Sequence, residues 1–272
     1  CFPIPLNIEK DQFVTAVEVV PGAAEVVHHV LAFAISPNMI SLELPKLNKD
    51  VMAGLETKHN DRAGWPCYAA AGKGVLPGPM IVGWAPGSGA THYPKGTGLK
   101  VKKGDVLVVQ MHYNVTGKSK VDRTKIRLKY ADKVDAEAFF VLHDPFLFGS
   151  VFSGKSDGLK GGQAEVPYTW KATRKTLAHT LPSAAEIGEE LLIHGVFPHM
   201  HKRGRKIKLM VQQEGGQEQC SADVQKWDFN WQRMYYYDKP FALNTKTKLR
   251  VTCTYDTSDT SENVKPGFGT ND

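Results

Sequence analysis

The sequence predicts an all-β protein of two tandem antiparallel, jelly-roll-like β-sandwich domains. Three observations carry that prediction. Apolar and polar residues alternate at period two along most of the chain, Gly and Pro punctuate the alternating segments at short intervals, and helical periodicity is nearly absent. A length of 272 residues suffices for two cores, each with its own buried side chains. Hydrophobic residues make up 42% and charged residues 23%, the balance of a globular chain rather than a disordered or fibrous one.

Taken in order, residues 13–20 and 26–34 read as the first strands. Turn residues follow at Pro77-Gly78-Pro79 and Ala85-Pro86-Gly87-Ser88-Gly89, and two further strands cover 106–113 and 125–130. A boundary is expected within 131–135, which gives domains of residues 1–133 and 134–272. In the second domain, 150–162 is rich in Gly, Ser and Lys and reads as an exposed loop. Strands are expected at 190–197, 206–212 and 248–255, ahead of a polar tail. No internal repeat is visible.

The net charge of +6 is unevenly placed, because residues 1–133 hold 17 Lys/Arg against 11 Asp/Glu and residues 134–272 hold 17 against 17. The excess favours small anions but is too dispersed for a nucleic-acid surface. No apolar run approaches the roughly 18 residues of a membrane span. The chain opens on Cys1 without an initiator Met or a leader pattern, so a processed, non-spanning chain is expected. Cys1, Cys67, Cys220 and Cys253 form no CxxC pair. Disulfides suit such spacing better than a zinc knuckle, which points to a secreted or periplasmic setting.

Ten histidines are present, and five fall in strand-like segments: His28, His29, His112, His199 and His201. Residues i and i+2 share a strand face, so His199 and His201 can present both imidazoles to one ion. His28 and His29 would face opposite ways on a regular strand, and joint ligation there requires a bulge or a strand end. No Asp or Glu lies within four residues after His112 or His201, and all-nitrogen ligation leans towards copper or zinc. A blue-copper pattern around a Cys and an HExxH zinc helix are both missing from the sequence. His59, His92, His143, His179 and His194 are read as ordinary histidines, and the aromatic run from Trp227 to Tyr237 as sheet and core packing.

Residues Glu25-Val26-Val27-His28-His29-Val30-Leu31-Ala32-Phe33 resemble the His-His strand of the copper type II, ascorbate-dependent monooxygenases. The succession Val82-Gly83-Trp84-Ala85-Pro86-Gly87, Tyr93-Pro94-Lys95-Gly96-Thr97-Gly98-Leu99 and Val109-Gln110-Met111-His112-Tyr113 is similar to that family in order and spacing. The segment around His199-Met200-His201 resembles its His-x-His strand. The resemblance covers nearly the whole chain.

It implies two copper ions. His28, His29 and His112 would hold the electron-transfer copper, and His199 and His201 would be two ligands of the oxygen-activating copper, with Gln110 beside the first site as an orienting residue. The family's methionine ligand follows a Gly-Thr, and here Gly269-Thr270-Asn271-Asp272 closes the sequence shown, so either that ligand lies just beyond a truncated end or the second site is incomplete. Met200, Met210 and Met234 are not expected to substitute for it. The resemblance also implies a Cys1–Cys67 disulfide and leaves Cys253 either paired with Cys220 or unpaired. Peptide-hydroxylating members carry an Arg two residues before the His-x-His, where this chain has Phe197, so a peptide carboxylate is not the expected anchor.

The implied activity is hydroxylation of a C–H bond of a small molecule with O2 and a one-electron donor such as ascorbate. Lys202, Arg203, Arg205 and Lys206 read first as a solvated turn and strand edge, and second as a group that attracts that anion. The alternatives are a copper-binding or electron-transfer protein on the same scaffold and, more remotely, a zinc-binding structural module.

Overall fold

The computed structural model describes residues 1–67, 71–114, 117, 119–141, 158–174, 177, 190–229 and 231–265. His143, His179, residues 150–157 and the closing Gly269–Asp272 therefore lie outside the described residues. The chain divides into two compact units, Cys1–Phe140 and Val141–Asp272.

The first unit contains β1 (Phe2–Pro5), β2 (Gln12–Val20), β3 (Val27–Ile35), α1 (Asn48–Lys58), β4 (Met80–Trp84), β5 (Thr91–His92), β6 (Thr97–Val101), β7 (Val106–Tyr113), β8 (Lys125–Ala131) and β9 (Ala136–Ala138). One sheet has the order β1-β7-β3-β4. In the other, β8 pairs with one edge of β2, β6 and β5 pair with its other edge, and β9 runs parallel to β6. The unit reaches past residue 133 because β9 adds to this second sheet.

Val14, Val17 and Val19 of β2 and Leu99 and Val101 of β6 meet Val30, Ala32, Ala34, Leu107 and Val109 in one buried cluster between the sheets. The opposite face of β3 and β7 is also covered: Phe33, Ile35 and Val108 pack against Val51 and Met52 of α1, Trp65 and Val75. Burial on both faces explains why 30–35 and 106–109 are continuous apolar runs rather than alternating ones.

Helix α1 is absent from the sequence-based expectation. Its buried Asn48, Val51 and Met52, with Leu55 packed alongside, follow helical spacing, but in a segment too short and polar to declare itself. Asn48 secures the helix with both ends of its amide. Its Nδ2 donates to the Ser36 and Leu76 carbonyls, each at 3.1 Å, and its Oδ1 accepts from the Leu76 N–H at 2.9 Å. Cys1 and Cys67 are joined by a disulfide at the edge of the same cluster.

The second unit contains β10 (Val166–Thr173), β11 (Leu191–Val196), β12 (Gly204–Gln212), β13 (Gln219–Val224), β14 (Tyr235–Leu243) and β15 (Lys248–Tyr255). A four-stranded sheet β10-β15-β12-β13 and a two-stranded sheet β11-β14 enclose Ala172, Val211, Leu243 and Leu249, with Leu191, Ile193 and Phe241 packed against them. Among the described residues the chain is almost all β with antiparallel sheets, as its periodicity predicts.

The structure decides one alternative left open by the sequence and adds an anchor to one loop. Cys220 and Cys253 lie on strands that flank β12, opposite Met210 and Ile207 respectively. Two strand spacings across and a three-residue offset along β12 put them about 14 Å apart, beyond disulfide reach, and no bond joins them. Within 150–162, Leu159 is buried and pairs with Val264, so the described end of that segment is tied into the fold by an apolar anchor.

Candidate metal centres

The first cluster arises from a slip in the β3–β7 ladder. Val27 faces Tyr113, the next pair is His29 with His112, and His28 is the extra residue. Val27 and Val30 both reach the core between the sheets although they are three residues apart, which a regular strand forbids. The bulge absorbs the odd residue and turns His28 and His29 to one side. Ring centroids are 4.5 Å apart for His28–His29, 4.4 Å for His29–His112 and 6.2 Å for His28–His112.

Ligand-capable nitrogens of the three rings lie within 4.8 Å of one another, and among the described residues no carboxylate joins the group. His112 Nδ1 and His29 Nε2 are 2.7 Å apart, sharing one proton donor between them. Burial lowers the His112 pKa from its ordinary 6.5, which favours the neutral imidazole that a metal ligand requires. Such a donor set fits copper or zinc.

Neighbouring groups fix the ends of both strands. Tyr113 Oη donates to Asp122 Oδ2 at 2.9 Å, while Asp122 Oδ1 accepts the Gly22 and Ala23 N–H groups at 3.1 and 3.0 Å. Burial, reinforced by the Asp122 carboxylate, pushes the Tyr113 phenol up to about 12, so it remains a donor. Gln110 is buried on the β7 face that carries His112, opposite Leu31.

His199 and His201 lie not on a strand but in the connection from β11 to β12. Their rings are nevertheless 5.2 Å apart and nearly perpendicular. Met200 between them is buried, and Gly204 is what admits it: a Cβ there would lie 2.8 Å from Met200 Cβ and 3.0 Å from Trp227 Cδ1. His201 meets the edge of the Phe229 ring at 6.5 Å.

One residue of this site was not found from the sequence. Gln232, 33 positions after His199 and embedded in the aromatic run, is buried with its Oε1 2.6 Å from His199 Nδ1. Only the fold brings it there, and a lone Gln between Trp231 and Arg233 carries no pattern. The basic group after His201 is largely engaged in ion pairs, in keeping with its first reading as a solvated turn and strand edge. Arg203 pairs with Asp259, Arg205 with Asp256 at 3.1 Å and Lys206 with Glu165 at 2.7 Å, while Lys202 sits over the Phe229 ring.

Residues 164–272 match the copper type II ascorbate-dependent monooxygenase C-terminal domain. In a match 271 positions long that covers 95% of this chain, it is 25% identical to DBH-like monooxygenase protein 1 of Gallus gallus. The chain is similar to the copper type II ascorbate-dependent monooxygenases. The family match takes in His199, His201 and Gln232, whereas the three-histidine cluster lies outside the matched residues. The chain spans about two fifths of that curated relative, 39% of its length. Among the described residues no helix is long and apolar enough to cross a membrane.

Proposed function

We propose that this protein is a copper-dependent monooxygenase that hydroxylates a C–H bond of a small organic molecule. The observation that carries this reading is the bulge in β3, which turns two adjacent histidines to the same side as a third on β7. A structural histidine does not need that device. In this reading the chain comprises two domains divided near Phe140. His28, His29 and His112 hold one copper, and His199 and His201 supply two ligands to the other.

Copper supplies one-electron redox chemistry and O2 activation when bound. The overall reaction balances as substrate C–H plus O2, two electrons and two protons giving C–OH and water, with ascorbate or a redox protein as the donor class. The chain's own residues do the positioning. The bulge and the Tyr113–Asp122 tie orient the three-imidazole group, buried Gln110 underlies it as an orienting residue, and buried Met200 holds His199 and His201 apart and crossed. Phe197 before the second pair argues against a carboxylate-anchored peptide substrate. The Cys1–Cys67 disulfide supports an oxidising compartment, secreted or periplasmic.

A second reading is a non-enzymatic copper-binding or electron-transfer protein. It is favoured by the described residues gathering three imidazoles at the first site and two at the second. Oxygen uptake by the copper-loaded full-length protein, with ascorbate and a panel of small substrates, separates the two. The enzyme reading expects substrate-dependent uptake that His112→Ala abolishes. About one copper per chain without oxidation would establish the binding protein, and zinc as the retained metal after aerobic purification would defeat both.

A further inference from the structure

Gln232 uses both ends of its amide within the protein. Its Nε2 lies 2.7 Å from the Phe229 carbonyl oxygen, which can only accept, so the nitrogen must face that carbonyl and the oxygen must face His199. An acceptor 2.6 Å from His199 Nδ1 requires a proton on that nitrogen, and the ring's lone pair is then on Nε2. The orientation of one buried amide therefore dictates the tautomer of a candidate ligand 33 residues away.

The segment carrying Gln232 is itself held. The Trp231 N–H donates to the Asp228 carbonyl at 3.0 Å, closing a turn, and Phe229 in that turn braces His201. One short stretch thus sets the ring of each histidine in the pair.

We propose that Gln232 is a positioning residue of the His199–His201 site. It locks His199 as the Nδ1–H tautomer, fixes the ring's rotation and makes Nε2 the metal-directed nitrogen. The assignment rests on the proposed function in that the ion is copper. The tautomer itself does not depend on that. Hydrogen-bond partners of ligating histidines act in this way elsewhere, and their loss weakens metal binding roughly 10- to 100-fold.

The test has two readouts. Long-range proton–nitrogen correlation NMR on the metal-free, nitrogen-15-labelled chain reads the His199 tautomer. Competition against a chromogenic Cu(I) chelator reads the affinity of the copper equivalent that His199→Ala removes. In the wild type His199 is expected as Nδ1–H. Gln232→Ala should mix the tautomers and weaken that equivalent about 10- to 100-fold. Gln232→Glu, whose carboxylate still accepts from Nδ1 but loses the donor to the Phe229 carbonyl, should restore the Nδ1–H tautomer.

An Nε2–H tautomer in the wild type, a Gln232→Ala variant with unchanged tautomer and affinity, or a Gln232→Glu variant with His199 as the Nε2–H tautomer would overturn the proposal. If the tautomer depends on Gln232 but His199→Ala removes no copper, the positioning role stands and the copper reading falls.

Discussion

At residue 204 the distance between folding and crowding is one methyl group. A Cβ there would sit 2.8 Å from Met200 Cβ, an atom tied to the backbone that cannot swing aside. Overpacking of this kind costs about 1–3 kcal/mol, so Gly204→Ala should lower the urea midpoint of the second unit. Met200 separates His199 from His201, so the same variant should weaken copper binding at that pair. An unchanged midpoint and affinity would show that Met200 is not held as described. The identity of the histidines was legible residue by residue, because imidazole at paired spacings has few other uses. Gln232 was not, since its role comes from a partner far away in sequence and from nothing in its neighbours.

At the scale of elements, the β3 bulge is the feature on which the first cluster depends. The adjacent pair His28-His29 announces a phase problem in the sequence, and the ladder solves it by a register shift that makes His28 the extra residue of a bulge. Deleting His28 should therefore restore a regular ladder with Val27 still facing the core and His29 still facing outward. The expected outcome is a folded first unit by circular dichroism whose copper affinity falls at least tenfold. A collapse of the fold would mean that the bulge serves stability rather than ligation.

The long strands were legible from their spacing, β7 and β15 to the residue. Helix α1 was not, because its burial depends on the sheet face and the Trp65 segment that cover it. The strand expected at His199 and His201 proved to be a connection, where the i, i+2 relation is kept by Met200 packing inward rather than by a ladder.

For the whole molecule, the Cys1–Cys67 bond spans a sequence separation of 66 and closes a long loop over one face of the first unit. Chain-entropy reasoning assigns about 4 kcal/mol to such a closure. Cys67→Ser should accordingly lower the thermal midpoint of the first unit and leave the transition of the second in place. A single transition that shifts as a whole would show that the two units do not unfold independently.

What the sequence by itself determined is the all-β class, most strands, the six histidine and glutamine candidates and the family likeness. Each rests on local periodicity or on residues with scarce chemistry. The tertiary structure decided which groups meet: the bulge that brings His28 and His29 to one side, the amide that sets the His199 tautomer, the acidic partners that neutralise Arg203, Arg205 and Lys206, and the strand that parts Cys220 from Cys253. These depend on register and on contacts across tens of residues, which no local pattern encodes.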